Sequence, residues 1–221
     1  MKLNAFRTVF TACIAVAVLP ACSNAWSGDG HDINSVNGSV EARPGQTYGS
    51  LTTVNGNVRV GRGAIADKAK TVNGEIRIDD EARVGSAQTV NGSVKVGSGA
   101  EISQSASTVN GEVSLGARAR VGGDVTTVSG EIELEGAEVA GKLVTRNGDI
   151  ELSDGARVRG GIHVQKRNDS GWDWGKSEPV KVHVCGTCVV DGELRFDQPV
   201  ELRVDSGGKI GTVIGDKVTR R

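Results

Sequence analysis

Aliphatic and polar positions alternate in short bursts along this chain, and the bursts recur. Ile76-Arg77-Ile78 puts two aliphatics on one face and a cation on the other, as a β-strand with a side-chain period of two does. The burst returns as Val58-Arg59-Val60, Val94-Lys95-Val96, Val113-Ser114-Leu115, Ile132-Glu133-Leu134 and Ile150-Glu151-Leu152. Before each stands Thr-Val-Asn-Gly or a drifted copy of it, the copies beginning at residues 35, 53, 71, 89, 108, 127 and 145. Steps of 18 or 19 residues predict a solenoid. Asn-Gly is a turn signal, since both residues tolerate positive φ. The next similar strand comes a full period later, too far for a tight hairpin, so the strands are expected to stack in parallel, coil upon coil.

A shorter period lies inside the longer one. Val54, Val60, Ala66, Val72, Ile78, Val84, Val90, Val96 and Ile102 recur every six residues, and after single-residue slips Val109, Leu115, Val121, Val128 and Leu134 continue the count. The fourth residue after each is often small or aliphatic, as at Val58, Ala64, Ile76, Ala100, Ala119 and Val125. Three six-residue sides per coil predict an all-β, single-stranded, three-sided parallel β-helix of 18–19-residue coils, with the side starts filling its axis. Its interior would be narrow. Composition agrees, with 32 Gly and only 3% aromatic residues. Stacking like on like predicts an amide ladder through Asn37, Asn55, Asn73, Asn91, Asn110 and Asn147. It also predicts a hydroxyl ladder through Thr53, Thr71, Thr89, Thr108, Thr127 and Thr145.

The ends of the chain read differently. Residues 1–21 carry Lys2 and Arg7 before an apolar run too short for a permanent membrane anchor, the pattern of an export signal. Leu19-Pro20-Ala21-Cys22 resembles a bacterial lipobox, which makes Cys22 a lipidation candidate. Ser23-Asn24-Ala25 offers an ordinary cleavage site instead. Residues 22–34 read as a tether, 35–164 as β-helix repeats, 165–179 as an inserted loop, 180–215 as closing coils and 216–221 as a tail. The expected location is outside the cytoplasm, in the periplasm or, with lipid on Cys22, at the outer membrane. Net charge is −1, and the leader's own charges are basic, so the remainder is more acidic still. With no basic run interleaved with aromatics, nucleic acid is not an expected partner.

Candidate chemistry is sparse. Cys185-Gly186-Thr187-Cys188 reads first as a disulfide in an exported chain. It reads second as half of a metal site with His163 and His183, which alternation turns outward and could bring close on adjacent coils. Trp172 and Trp174 stand in the inserted loop, either packed over the rod or as contacts for a glycan or protein partner. Asp79-Asp80-Glu81 reads as solvated surface. Outward residues of the repeated strand change sign along the chain, from Arg59, Arg77 and Lys95, through Ser114, to Glu133 and Glu151. Glu75 is placed to relieve the two arginines. A rod so charged could attract its neighbours. No catalytic residue and no cofactor is expected.

Gly116-Ala-Arg-Ala-Arg-Val-Gly-Gly-Asp-Val125 and Leu152-Ser-Asp-Gly-Ala-Arg-Val-Arg-Gly-Gly-Ile162 resemble segments of bactofilins, and the Thr-Val-Asn-Gly copies resemble a family of bacterial β-helical adhesin-like proteins. The bactofilin resemblance implies a right-handed winding, favoured over left-handed, and end-to-end polymerisation without nucleotide. The hexads also resemble hexapeptide-repeat enzymes, which implies a catalytic or metal-binding His. The expectation carried forward is a non-enzymatic scaffold or surface-binding rod of the bacterial envelope that associates with itself. The alternatives are a monomeric glycan- or protein-binding module using the Trp loop, and a metal protein or hexapeptide-type enzyme.

Overall fold

A computed structural model describes residues 30–167, 178–215 and 217–220. Among these residues there is no helix, and every strand pairing is parallel. The fold is a β-solenoid of about ten turns. One sheet, here the front sheet, has ten strands, from Val40–Ala42 through Val58–Val60 and Ile76–Ile78 to Val200–Val204 and Val218–Arg220. Its register keeps the inward position aliphatic through nine strands: Val40, Val58, Ile76, Val94, Val113, Ile132, Ile150, Val182 and Leu202. The tenth position in that column is Arg220.

The remaining strands form one branched sheet, here the back sheet. In the first coils a single long strand, such as Ile65–Lys70 or Arg83–Gln88, supplies two buried residues three apart: Ala66 with Ala69, Val84 with Ala87. From Glu101 onward that strand splits in two. Arg83 and Val84 pair with Glu101 and Ile102, whereas Ala87 and Gln88 pair with Ala106 and Ser107. The extra residue of the 19-residue coils lodges at this corner, so the buried pair is four apart in Ile102/Ala106 and Val121/Val125, a spacing that Val139/Leu143 keeps in an 18-residue coil. The inserted segment leaves the stack in register: Ile150 pairs with Val182 and Leu152 with Val184.

Two corners explain the repeat. At the first, Ala64, Ala82, Ala100, Ala119 and Ala156 are buried, and each donates its N–H to the carbonyl three residues earlier. Gly63, Glu81, Gly99 and Arg118 precede four of these alanines with φ near +60°. At the second corner the hexad count is corrected. Val54, Val90 and Val109 are exposed, and Thr53, Thr71, Thr89, Thr108, Thr127 and Thr145 are buried instead. Nor do these hydroxyls bond one another. Thr53, Thr71, Thr89, Thr108 and Thr127 each donate to a glycine carbonyl of the preceding coil, at 2.8–3.2 Å. The partly buried glycine carbonyl takes its hydrogen bond from the threonine hydroxyl, which valine lacks, so threonine turns in and valine out. The glycine of Asn-Gly also has a reason other than turn conformation. A Cβ on Gly56, Gly74, Gly92, Gly111 or Gly130 would lie 2.0–2.2 Å from the glycine carbonyl oxygen of the coil before.

Candidate functional site

Stacking in register turns each outward residue into a row along the rod, and the rows are the candidate functional surface. The amide row is continuous over five coils. Asn55, Asn73, Asn91 and Asn110 each donate Nδ2 to the Oδ1 of the preceding asparagine, at 2.9–3.0 Å. Asn147 does not join. Ser129 takes the sixth place, and Asn147 Oδ1 accepts from Arg167 Nε at 2.8 Å. Beside the amides runs the ridge of half-exposed valines that the corner turns outward.

Charge is distributed differently on the two sheets. On the back sheet, Arg83, Glu101, Arg120, Glu138 and Arg157 stand in register with alternating sign. On the front sheet the row reads Glu41, Arg59, Arg77, Lys95, Ser114, Glu133, Glu151, His183, Arg203. Like charges there occupy consecutive coils, roughly 4.8 Å apart. Asp79 bridges Arg59 and Arg77, at 2.8 and 3.4 Å. Glu75 pairs with Lys95 at 3.3 Å rather than with the arginines, a correction to the expected pairing. Asp80 holds Arg62 at 2.7 Å. Among the described residues no cation lies within ion-pair distance of Glu112, Glu131, Glu133 or Glu135. Glu131 accordingly titrates above the ordinary glutamate value, through partial burial first and then the charges of Glu151, Glu133, Asp149 and Glu112.

Cys185 and Cys188 are disulfide-bonded. Cys188 is fully buried and donates its N–H to the Cys185 carbonyl at 3.0 Å. The pair thus occupies the corner that buries alanine in the other coils. The expected approach of the histidines is corrected. His163 lies on the back sheet, in register with Val144 and Arg195, and His183 lies on the front sheet, in register with Glu151 and Arg203. Each meets an aspartate of a neighbouring coil: His163 Nε2 is 2.8 Å from Asp197 and His183 Nε2 is 3.0 Å from Asp205. Arg195 and Arg203 donate to the other oxygen of the same carboxylates, each at 3.1 Å. These carboxyl groups titrate below the ordinary aspartate value, chiefly through the histidine hydrogen bond. Among the described residues, no three or more His, Cys, Asp or Glu side chains form a group fit to hold a metal ion. The aspartate partners were not singled out from sequence, although one signal was present. Arg77-Ile78-Asp79, Arg195-Phe196-Asp197 and Arg203-Val204-Asp205 share an Arg-x-Asp spacing that puts both charges on one strand face.

Cys22, Trp172 and Trp174 lie outside the described residues. The ends of the Trp segment flank a surface pocket of about 680 Å³ lined by Lys166, Arg167, Glu178, Arg195, Asp197 and Lys217, among others. No family model, no curated protein and no solved structure matches this chain.

Proposed function

We propose that this chain is a non-enzymatic scaffold or surface-binding rod of the bacterial envelope, exported by its N-terminal leader and anchored through Cys22. One observation carries the reading: outward side chains stand in register from coil to coil, most plainly in the amide row Asn37–Asn110, which repeats over five coils. A rigid rod with repeated faces suits a partner that is itself extended or repeated, and suits the association of one rod with another. The Cys185–Cys188 disulfide supports an oxidising compartment, and the leader supports export. The resemblance to bactofilins lends the three-sided cross-section and right-handed winding that belong to the same reading.

A second reading, a monomeric glycan- or protein-binding module, is favoured by the pocket at the foot of the Trp segment. Fractionation of cells producing the full chain, with fatty-acid labelling of Cys22, tests the first reading. The chain is expected in the envelope fraction with label that Cys22→Ala abolishes. A deletion strain is expected to show an envelope defect that a His163→Ala, His183→Ala chain still repairs. Retention in the cytoplasm, or loss of repair by the histidine variant with its fold intact, would sink it. Glycan binding lost on Trp172→Ala, Trp174→Ala would establish the second reading instead.

A further inference from the structure

The front-sheet row has a symmetry that neither burial nor strand formation requires. Counted from Ser114 at its centre, Lys95 on one side answers Glu133 on the other, Arg77 answers Glu151, and Glu41 at one end answers Arg203 at the other. Only Arg59 faces no carboxylate, its counterpart being His183. The row therefore changes sign when reversed. We propose that the front sheet is an interaction surface for a second copy of this chain, lying antiparallel and face to face about a two-fold axis through Ser114. This rests on the self-associating scaffold reading above and replaces its end-to-end contact with a lateral one.

A two-fold axis along the strand direction sets each row of one copy on the same row of the other, reversed, as an isologous interface demands. Three attractive pairs follow, each made twice: Lys95 with Glu133, Arg77 with Glu151, Glu41 with Arg203. The adjoining row is less favourable. Glu112 meets its own symmetry mate, and Glu75 meets Asp149, although Lys95 already neutralises Glu75 within its own chain at 3.3 Å. Six attractive contacts stand against three repulsive ones, with Arg77, Lys95 and Arg203 shared with Asp79, Glu75 and Asp205 of their own chain, and the small Ser114 at the centre lets the sheets approach.

Two further observations favour a lateral partner. Like charges directly opposite one another across parallel strands are unfavourable, and the chain avoids them on the back sheet by alternating Arg83, Glu101, Arg120, Glu138 and Arg157. On the front sheet Asp79 and Glu75 relieve the basic block within the chain, whereas Glu133 meets a cation only opposite its complement. Arg220 takes the column position that aliphatics hold in nine strands, and a charge there interrupts the aliphatic column on which further coils would stack coaxially. The face measures roughly 45 Å by 10 Å, about 450 Å² per copy. That is the size of a weak, transient contact, and its charged character makes it salt-sensitive.

Sedimentation equilibrium of the full chain, from about 10 µM to about 1 mM, tests the pairing. A dimer is expected at low salt and is expected to dissociate at least tenfold more readily at high salt. Arg77→Glu with Lys95→Glu should be monomeric, and so should Glu133→Lys with Glu151→Lys. An equimolar mixture of the two should regain the dimer, because each reversed block then meets its complement. Circular dichroism confirms that both variants are folded, and the salt dependence of the unaltered chain stands without them. A monomer throughout, a dimer indifferent to salt, or a mixture that stays monomeric overturns the proposal. A monomer found in the envelope fraction overturns the pairing alone; a dimer retained in the cytoplasm overturns the scaffold reading alone.

Discussion

Asn73 donates its side-chain amide to Asn55 Oδ1 at 2.9 Å, one coil away, and accepts from Asn91 at the same distance. Each inner asparagine of the row is both donor and acceptor, whereas Asn110, next to Ser129, has no amide beyond it. Asn73→Ala therefore removes two amide bonds and Asn110→Ala one. At about 0.5–1.5 kcal/mol per bond, urea unfolding should show a loss near 1–2 kcal/mol for the first and about half that for the second. Equal losses would mean that the row acts only as surface.

Glycines in this chain serve two purposes, and alanine separates them. At Gly92 a Cβ would stand 2.0 Å from the Gly74 carbonyl oxygen, so Gly92→Ala must push adjacent coils apart and is expected to prevent cooperative folding or cost over about 4 kcal/mol. At Gly63 a Cβ meets nothing within 4 Å, and only the φ of +64° resists it. Gly63→Ala should cost about 1 kcal/mol, and Glu81 already tolerates the equivalent place at φ +59°. Thermal melts of the two variants decide the point.

Acid should loosen the C-terminal coils through Asp197 and Asp205. Both titrate below their ordinary value in the folded chain because His163 and His183 hydrogen-bond their ionised forms. Stability from a depressed carboxyl is complete above the unfolded value of about 3.9. It is lost as pH falls through the lower folded value. The urea midpoint should drop less between pH 5 and pH 3 in the Asp197→Asn, Asp205→Asn chain than in the unaltered one.

The Cys185–Cys188 bond closes a loop of sequence separation three, and so short a loop limits its entropic contribution to roughly 2 kcal/mol. Cys188 sits where other coils bury alanine, and Gly61, Gly97 and Gly116 hold the place of Cys185. Cys185→Gly with Cys188→Ala should therefore fold, with a melting temperature lowered by a few degrees. Failure to fold would show that the final coils depend on the cross-link.

Period alone determined the solenoid. An 18–19-residue repeat of one strand and one Asn-Gly corner can bury its aliphatics only by stacking, so parallel register, coil length and the Val58, Ile76 and Val94 column were legible from spacing. The asparagine row was legible for the same reason, because identical coils set like over like. Spacing misjudged the second corner: six-residue counting placed Val54 and Val90 inside, but the glycine carbonyl of the preceding coil takes a donor there, and the buried Thr53 and Thr89 supply it. Which coil faces meet in the drifted, aperiodic region was decided only in three dimensions. His163 and His183 fell on different sheets, with Asp197 and Asp205 as partners, because each winding contributes strands to both sheets and Ile162–Val164 and Val180–Val184 join different ones. The reversed-sign symmetry of the front sheet likewise exists only once the register sets Arg77 and Glu151 in a single row.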